Sequence, residues 1–175
     1  MTDSCRRSGR CERGFRAPRR KGAVFTVSLA IAGAALSLGP PAGATIVIGQ
    51  GIGGVFLGMS PTQVRNVLGV PARIVRARPY YAPQLEYVYP QYLVIFEGRR
   101  AVTSISTMSS TEKTSTGVGV GSKRAVLQAK VPTIRCNEAG SGSCYLGGFL
   151  PGHVITQFDF SNGRVRQVFI GLVTG

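Results

Sequence analysis

One short pattern occurs twice in this 175-residue chain, and its two copies keep a common spacing. The first reads Gly53-Gly54-Val55-Phe56-Leu57-Gly58-Met59-Ser60, followed by Val64, Val67, Leu68 and Pro71. The second reads Gly117-Val118-Gly119-Val120-Gly121-Ser122, followed by Val126, Leu127, Val131 and Pro132. Each copy leads into a strand-turn-strand pattern, Phe96 to Val102 and on to Ile105 in the first, Phe160 to Val165 and on to Val168 in the second. Gly58 and Gly121, Val102 and Val165, and Ile105 and Val168 are each 63 residues apart. Unrelated segments rarely hold one register across two motifs, so the pattern predicts an internal duplication. The period is too long for most solenoids and there are only two copies. Two small pseudo-symmetric modules are therefore expected.

Residues 1–44 read as an export signal and not as part of the fold. Eight basic residues precede position 22: Arg6, Arg7, Arg10, Arg13, Arg16, Arg19, Arg20 and Lys21. The uncharged apolar run Ala23 to Leu38 follows, broken by Gly39-Pro40-Pro41, and Ala42-Gly43-Ala44 is a small-residue cleavage site. That order is the secretory pattern. A membrane span needs about 20 apolar residues, more than this run supplies. Arg19-Arg20 raises a twin-arginine route, but Lys21-Gly22-Ala23 lacks the bulky apolar pair that route favours. No cysteine directly follows the cleavage site, so a lipid anchor is not expected. The predicted product is a secreted or extracytoplasmic chain from Thr45 to Gly175.

Cys5 and Cys11 would leave with the leader, and Cys136 and Cys144 remain. An even pair in an oxidising compartment reads as a disulfide. The rival reading is a metal site, but structural zinc needs two further ligands, and His153 is the one histidine present. No metal and no cofactor is expected. The expected product keeps thirteen basic and five acidic side chains, a net charge of +8, which suits anionic partners outside the cell.

Local patterns give the elements. Thr45-Ile46-Val47-Ile48 reads as an opening strand, and Gly49 to Gly54 as a flexible glycine loop. Ser60, Pro61 and Gln63 predict a capped helix start, with Val64, Val67 and Leu68 as one apolar stripe and Gly69 and Pro71 ending it. In the second copy Ser122 is the expected cap. Helices of about two turns are marginal alone and must pack on sheet. Leu85 to Tyr89, Leu93 to Phe96, Val102 to Ile105, Val154 to Phe160 and Val165 to Ile170 supply it, with Asn162-Gly163 as a hairpin turn. Ser106 to Thr116 reads as the connection between modules. The fold class is thus α+β: two tandem modules, residues 45–110 and 111–175, each a short helix followed by an antiparallel meander.

The stretch Gly54 to Pro71, read as G-x-x-L-G-M-S-x-x-Q-V-x-x-x-L-G-x-P, resembles the opening motif of the SmpA/OmlA (BamE) outer-membrane lipoproteins. Duplicated, it is similar to the beta-lactamase inhibitor protein (BLIP) fold, in which tandem helix-plus-sheet modules form one concave surface. The resemblance implies a protein-binding role. It covers most of residues 53–170 and rests on glycines, caps and core positions, which set a fold and do not carry function. Two departures stand out: the lipid-anchoring cysteine of the BamE group is missing, and only the second half has the cysteines for a bridge, where the inhibitor has one in each module.

Catalytic residue types are sparse. His153 and five carboxylates, Glu86, Glu97, Glu112, Glu138 and Asp159, follow the leader, with no nucleophile elbow, zinc-protease helix or phosphate loop. Gly117-x-Gly119-x-Gly121 lacks a surrounding βαβ unit and reads as a structural turn. No catalytic residue is assigned. The segment most like a binding surface holds Arg73, Arg76 and Arg78 followed by Tyr80, Tyr81, Tyr87, Tyr89 and Tyr92, residue types favoured as binding anchors. Tyr87 and Tyr89 also fit plain strand packing. Tyr80 and Tyr81, between Pro79 and Pro83, with Arg76 and Arg78 beside them, are the expected binding residues. The expected function is an exported, non-enzymatic protein that binds another extracytoplasmic protein through a concave sheet. The alternative is a basic module for an anionic cell-envelope polymer or nucleic acid, with a hydrolase a distant third.

Overall fold

The computed structural model describes residues 45–78, 83–98, 100–137 and 142–174. The leader reading therefore lies outside the described residues. Among the described residues, eleven strands and two helices are formed. The chain starts with β1 (Ile46–Val47), β2 (Gly51–Ile52) and β3 (Val55–Phe56), which make a three-stranded antiparallel sheet. The expected glycine loop is thus an ordered miniature sheet. It needs its glycines: a Cβ at Gly51 would lie 2.0 Å from the Val55 carbonyl oxygen. The sheet buries Ile46, Ile52 and Val55.

Helix α1 (Pro61–Leu68) starts as its sequence predicts. The Gln63 N–H donates to Ser60 Oγ and the Ser60 N–H donates to Gln63 Oε1, closing the capping box. Gly69 ends it at φ 79°. Helix α2 (Arg124–Lys130) departs from expectation, because Lys123 is its N-cap and makes no side-chain bond there. Ser122 Oγ accepts from the Gly119 N–H instead, which holds the preceding turn.

The remaining strands are β4 (Arg73–Ala77), β5 (Gln84–Val88), β6 (Tyr92–Glu97), β7 (Ala101–Thr107), β8 (Arg135–Cys136), β9 (Ser143–Gly147), β10 (Val154–Ser161) and β11 (Arg164–Leu172). They form one antiparallel sheet in the order β4-β5-β6-β7-β11-β10-β9-β8. This corrects the expected α+β pair of tandem helix-plus-meander modules: the chain is mainly β, in one continuous eight-stranded sheet. The physical reason lies at the centre. β7 and β11 pair from Thr107↔Val168 to Ser104↔Gly171, bringing Ile105 opposite Ile170, and both isoleucines are fully buried. Helices of eight and seven residues bury too little to close separate cores. The Ser/Thr-rich tract expected to link two modules also changes role, since Ser106 and Thr107 end β7.

The repeated motifs do share local hydrogen bonds inside this sheet. The Gly58 N–H donates to Val102 O and the Val102 N–H to Met59 O; the Gly121 N–H donates to Val165 O and the Val165 N–H to Ser122 O. Gly58 and Gly121 have φ of 86° and 90°, a region that favours glycine.

Register separates the two faces of the sheet. On the inner one the row Ile74, Tyr87, Val94, Ile105, Ile170, Thr156, Leu146 crosses seven strands. The core gathers there, where Val64 of α1, Leu127 of α2 and the three-stranded sheet join Phe96, Phe158 and Val168. Cys136 and Cys144, directly paired across β8 and β9, form the predicted disulfide.

Candidate functional site

The outer face of the sheet carries the candidate site. Its main row reads Arg73, Val88, Leu93, Ser106, Phe169, Gln157, Tyr145, Arg135 from edge to edge. The next row reads Val75, Glu86, Ile95, Ser104, Gly171, Ile155, Gly147. Val88, Leu93, Ile95, Ile155 and Phe169 take no part in the core cluster. Period-two alternation puts them opposite the core residues of the same strands. Small residues occupy the middle, and Phe169 leans over Gly171, where an added Cβ would lie 2.5 Å from the ring. An exposed arginine closes the main row at each end.

A cleft of about 320 Å³ opens beside the β5–β6 turn, lined by Arg73, Glu86, Val88, Leu93, Met108 and Gln167 among others. The size is at the lower end of the range of small-molecule sites, about 300–1,000 Å³. The Tyr89 N–H donates to Tyr92 O across the turn, and Thr107 Oγ1 donates to Gln91 O at 2.8 Å. Arginine and glutamate over apolar walls can pair a charged partner group, while Leu93 and the half-exposed Met108 accept apolar contact. No reaction follows from this set.

The expected site residues do not gather here. Arg76 and Arg78 are exposed, but Arg76 pairs with Leu85 and so lies on the other face from Arg73. Tyr80 and Tyr81 lie outside the described residues. Tyr87 and Tyr89 are core residues, with Tyr87 edge-on to Phe96 at 4.8 Å. Tyr89 Oη donates to Gly69 O. Its phenol is held above the usual value by burial first and by Tyr87 second, with Arg65 acting the other way.

Tyr92 is a buttress. Its ring fills the space beside Gly53, and its hydroxyl donates to Glu112 Oε1 at 2.5 Å. Glu112 is buried, and its Oε2 has no hydrogen-bond partner among the described residues. The Tyr92 phenol is pushed far above its ordinary range, by burial first, then by the bond to Glu112, then by the cost of a phenolate beside that residue. His153 is exposed and Asp159 accepts from Gln157 Nε2 at 2.7 Å. Among the described residues no three metal-ligating side chains cluster.

Sequence reading missed Leu93, Phe169, Tyr145 and Arg135. Leu93 joins the other three only through the pairing of β7 with β11, strands distant in the chain. One local signal was available: Val168-Phe169-Ile170 is apolar on both faces of its strand, as in a strand whose two sides are both used.

No family model matches the chain, and no curated protein matches it. Among solved structures it is similar to an extracellular protein containing a SCP domain from Bacillus anthracis str. Ames, at 15% identity and TM-score 0.46. That match covers 66% of this chain and 43% of the other, so the chain spans less than half of that protein. It is also similar to the uncharacterized protein YfeY from Escherichia coli, at 11% identity and TM-score 0.44, covering 73% of this chain and 97% of that one. Likenesses this weak carry no argument. No described helix is long and apolar enough to cross a membrane. The disulfide is of the kind that persists in oxidising, extracytoplasmic compartments.

Proposed function

We propose that this chain is an exported, non-enzymatic binding protein that engages another extracytoplasmic protein through the outer face of its eight-stranded sheet. The observation that carries the reading is the row from Arg73 to Arg135, in which Val88, Leu93, Phe169 and Tyr145 flank Ser106 and Gln157 and an arginine stands at each end. Apolar and aromatic groups ringed by polar and arginine side chains are how protein interfaces are built. The disulfide and the leader pattern support an extracytoplasmic setting. The scarcity of catalytic residue types supports binding over catalysis.

The test is capture from envelope and culture fractions by the immobilised protein, compared with a Leu93→Ala, Phe169→Ala double variant. The partner's affinity should fall by about 2 kcal/mol or more, the scale of interface anchors. Capture should survive moderate salt. Binding that collapses as salt rises and ignores the double substitution would instead indicate an anionic polymer held by charge.

A further inference from the structure

The two edges of the large sheet are unlike. At one end β8 has two residues and is cross-linked to its neighbour. At the other, β4 has five residues and no described strand beyond it. A strand edge presents backbone N–H and C=O groups ready to pair with another chain. No proline interrupts β4, so its donors are intact. Arg73, Ile74 and Arg76 are exposed along it, and exposed Arg78 follows directly. Arg73 pairs across from Val88 and Arg76 across from Leu85, so the edge is cationic on both faces of the sheet.

Charge selects the occupant. A second copy pairing through β4 would set arginine against arginine, and like charges facing each other across strands are destabilising. Residues 1–44 carry eight basic and two acidic side chains, so the same objection applies to them. Edge charges commonly guard a sheet against self-association. Here they do so while leaving the ladder open to the opposite charge. We infer that the β4 edge binds an extended acidic polypeptide segment as a ninth strand. Carboxylates at alternating sides of that segment would meet Arg73 on one face and Arg76 on the other, while the backbone supplies the ladder. The site shares Arg73 with the outer-face row but does not depend on that reading.

The probe is a labelled, end-blocked peptide of strand length that alternates glutamate pairs with valine and threonine. Fluorescence anisotropy should show saturable binding, with new exchange protection of β4 amides that point away from β5. Arg73→Glu with Arg76→Glu should weaken it at least about tenfold, and Arg73→Gln with Arg76→Gln should weaken it less. The same peptide N-methylated at alternate residues, which removes ladder donors, should not bind. The Leu93→Ala, Phe169→Ala protein should bind the peptide as the parent does, which separates this site from the outer face. The inference is overturned if the N-methylated peptide binds equally well, if charge reversal leaves affinity unchanged, if inorganic polyphosphate binds as tightly as the peptide, or if no binding occurs.

Discussion

Tyr92 illustrates how a side chain can be noticed in a sequence and still conceal its task. It reads there as one tyrosine of a candidate binding segment, and nothing local to it points to Glu112, which lies in a stretch that reads as a polar connection. The structure joins them, leaving Glu112 Oε2 with no described partner. A buried acceptor deprived of its donor costs about 1–3 kcal/mol. Tyr92→Phe should therefore destabilise the protein by about that amount in denaturant titration. Glu112→Leu combined with it should recover part of the loss, because the buried acceptor goes too. The tyrosine also sets an alkaline limit. Its folded-state pKa is raised, as is that of Tyr89, so the folded protein holds these protons more tightly than the unfolded chain. Stability should be fully present below the ordinary phenol value near pH 10 and fall as pH rises above it. Tyr92→Phe should flatten that alkaline slope. An unchanged slope would mean that other groups govern it. Tyr87 and Tyr89, read as equally suited to packing or binding, are packing residues.

The two helices show where local sequence determines an element and where it does not. Ser60, Pro61, Gln63 and Gly69 are a complete start and stop, and α1 uses every one of them. Ser122 looked like the equivalent cap, yet the turn before α2 has a stronger claim on its hydroxyl, through the Gly119 N–H. The cap position falls one residue later, on exposed Lys123, with extended backbone at φ −70° and ψ 150° that suits a capping side chain. A cation there also opposes the helix dipole. Lys123→Asp should supply both the missing acceptor and a favourable charge, raising stability by about 0.5–1.5 kcal/mol. Ser60→Ala should lower it by about 1 kcal/mol. Thermal melts of both variants check the asymmetry between the helices, and equal responses to capping at both sites would contradict it. In the β1–β3 sheet only the opening strand was legible, within the run Thr45 to Ile48, and β2 and β3 were not, for a related reason. Strands of two residues leave no periodicity, and their glycines read as a loop.

At the scale of the whole molecule, the repeat was legible and its assembly was not. Spacing matched Gly58 with Gly121 and Val102 with Val165, and in the structure the Gly58 N–H donates to Val102 O as the Gly121 N–H does to Val165 O. Spacing could not say that the last strand of each half would pair with the other, because pairing between distant strands leaves no mark on either alone. That choice makes the halves interdependent. Ile105 of one half faces Ile170 of the other in the core. The opening segment is shared as well: the Thr45 and Ile46 N–H groups donate to Lys113 O, and the Gly49 N–H donates to Thr156 Oγ1 at 2.8 Å. Denaturant unfolding should accordingly be one cooperative transition, followed identically by probes in the two halves. Ile170→Ala should destabilise the molecule by about 2–5 kcal/mol, as a truncated core residue does when its cavity cannot collapse. The decisive reading is where that loss appears. If residues 45–110 unfold together with residues 111–174 in the variant, the sheet is one energetic unit. If the first half keeps the parent's midpoint while only the second shifts, the β7–β11 seam contributes little, and the halves are stable separately despite their shared strands.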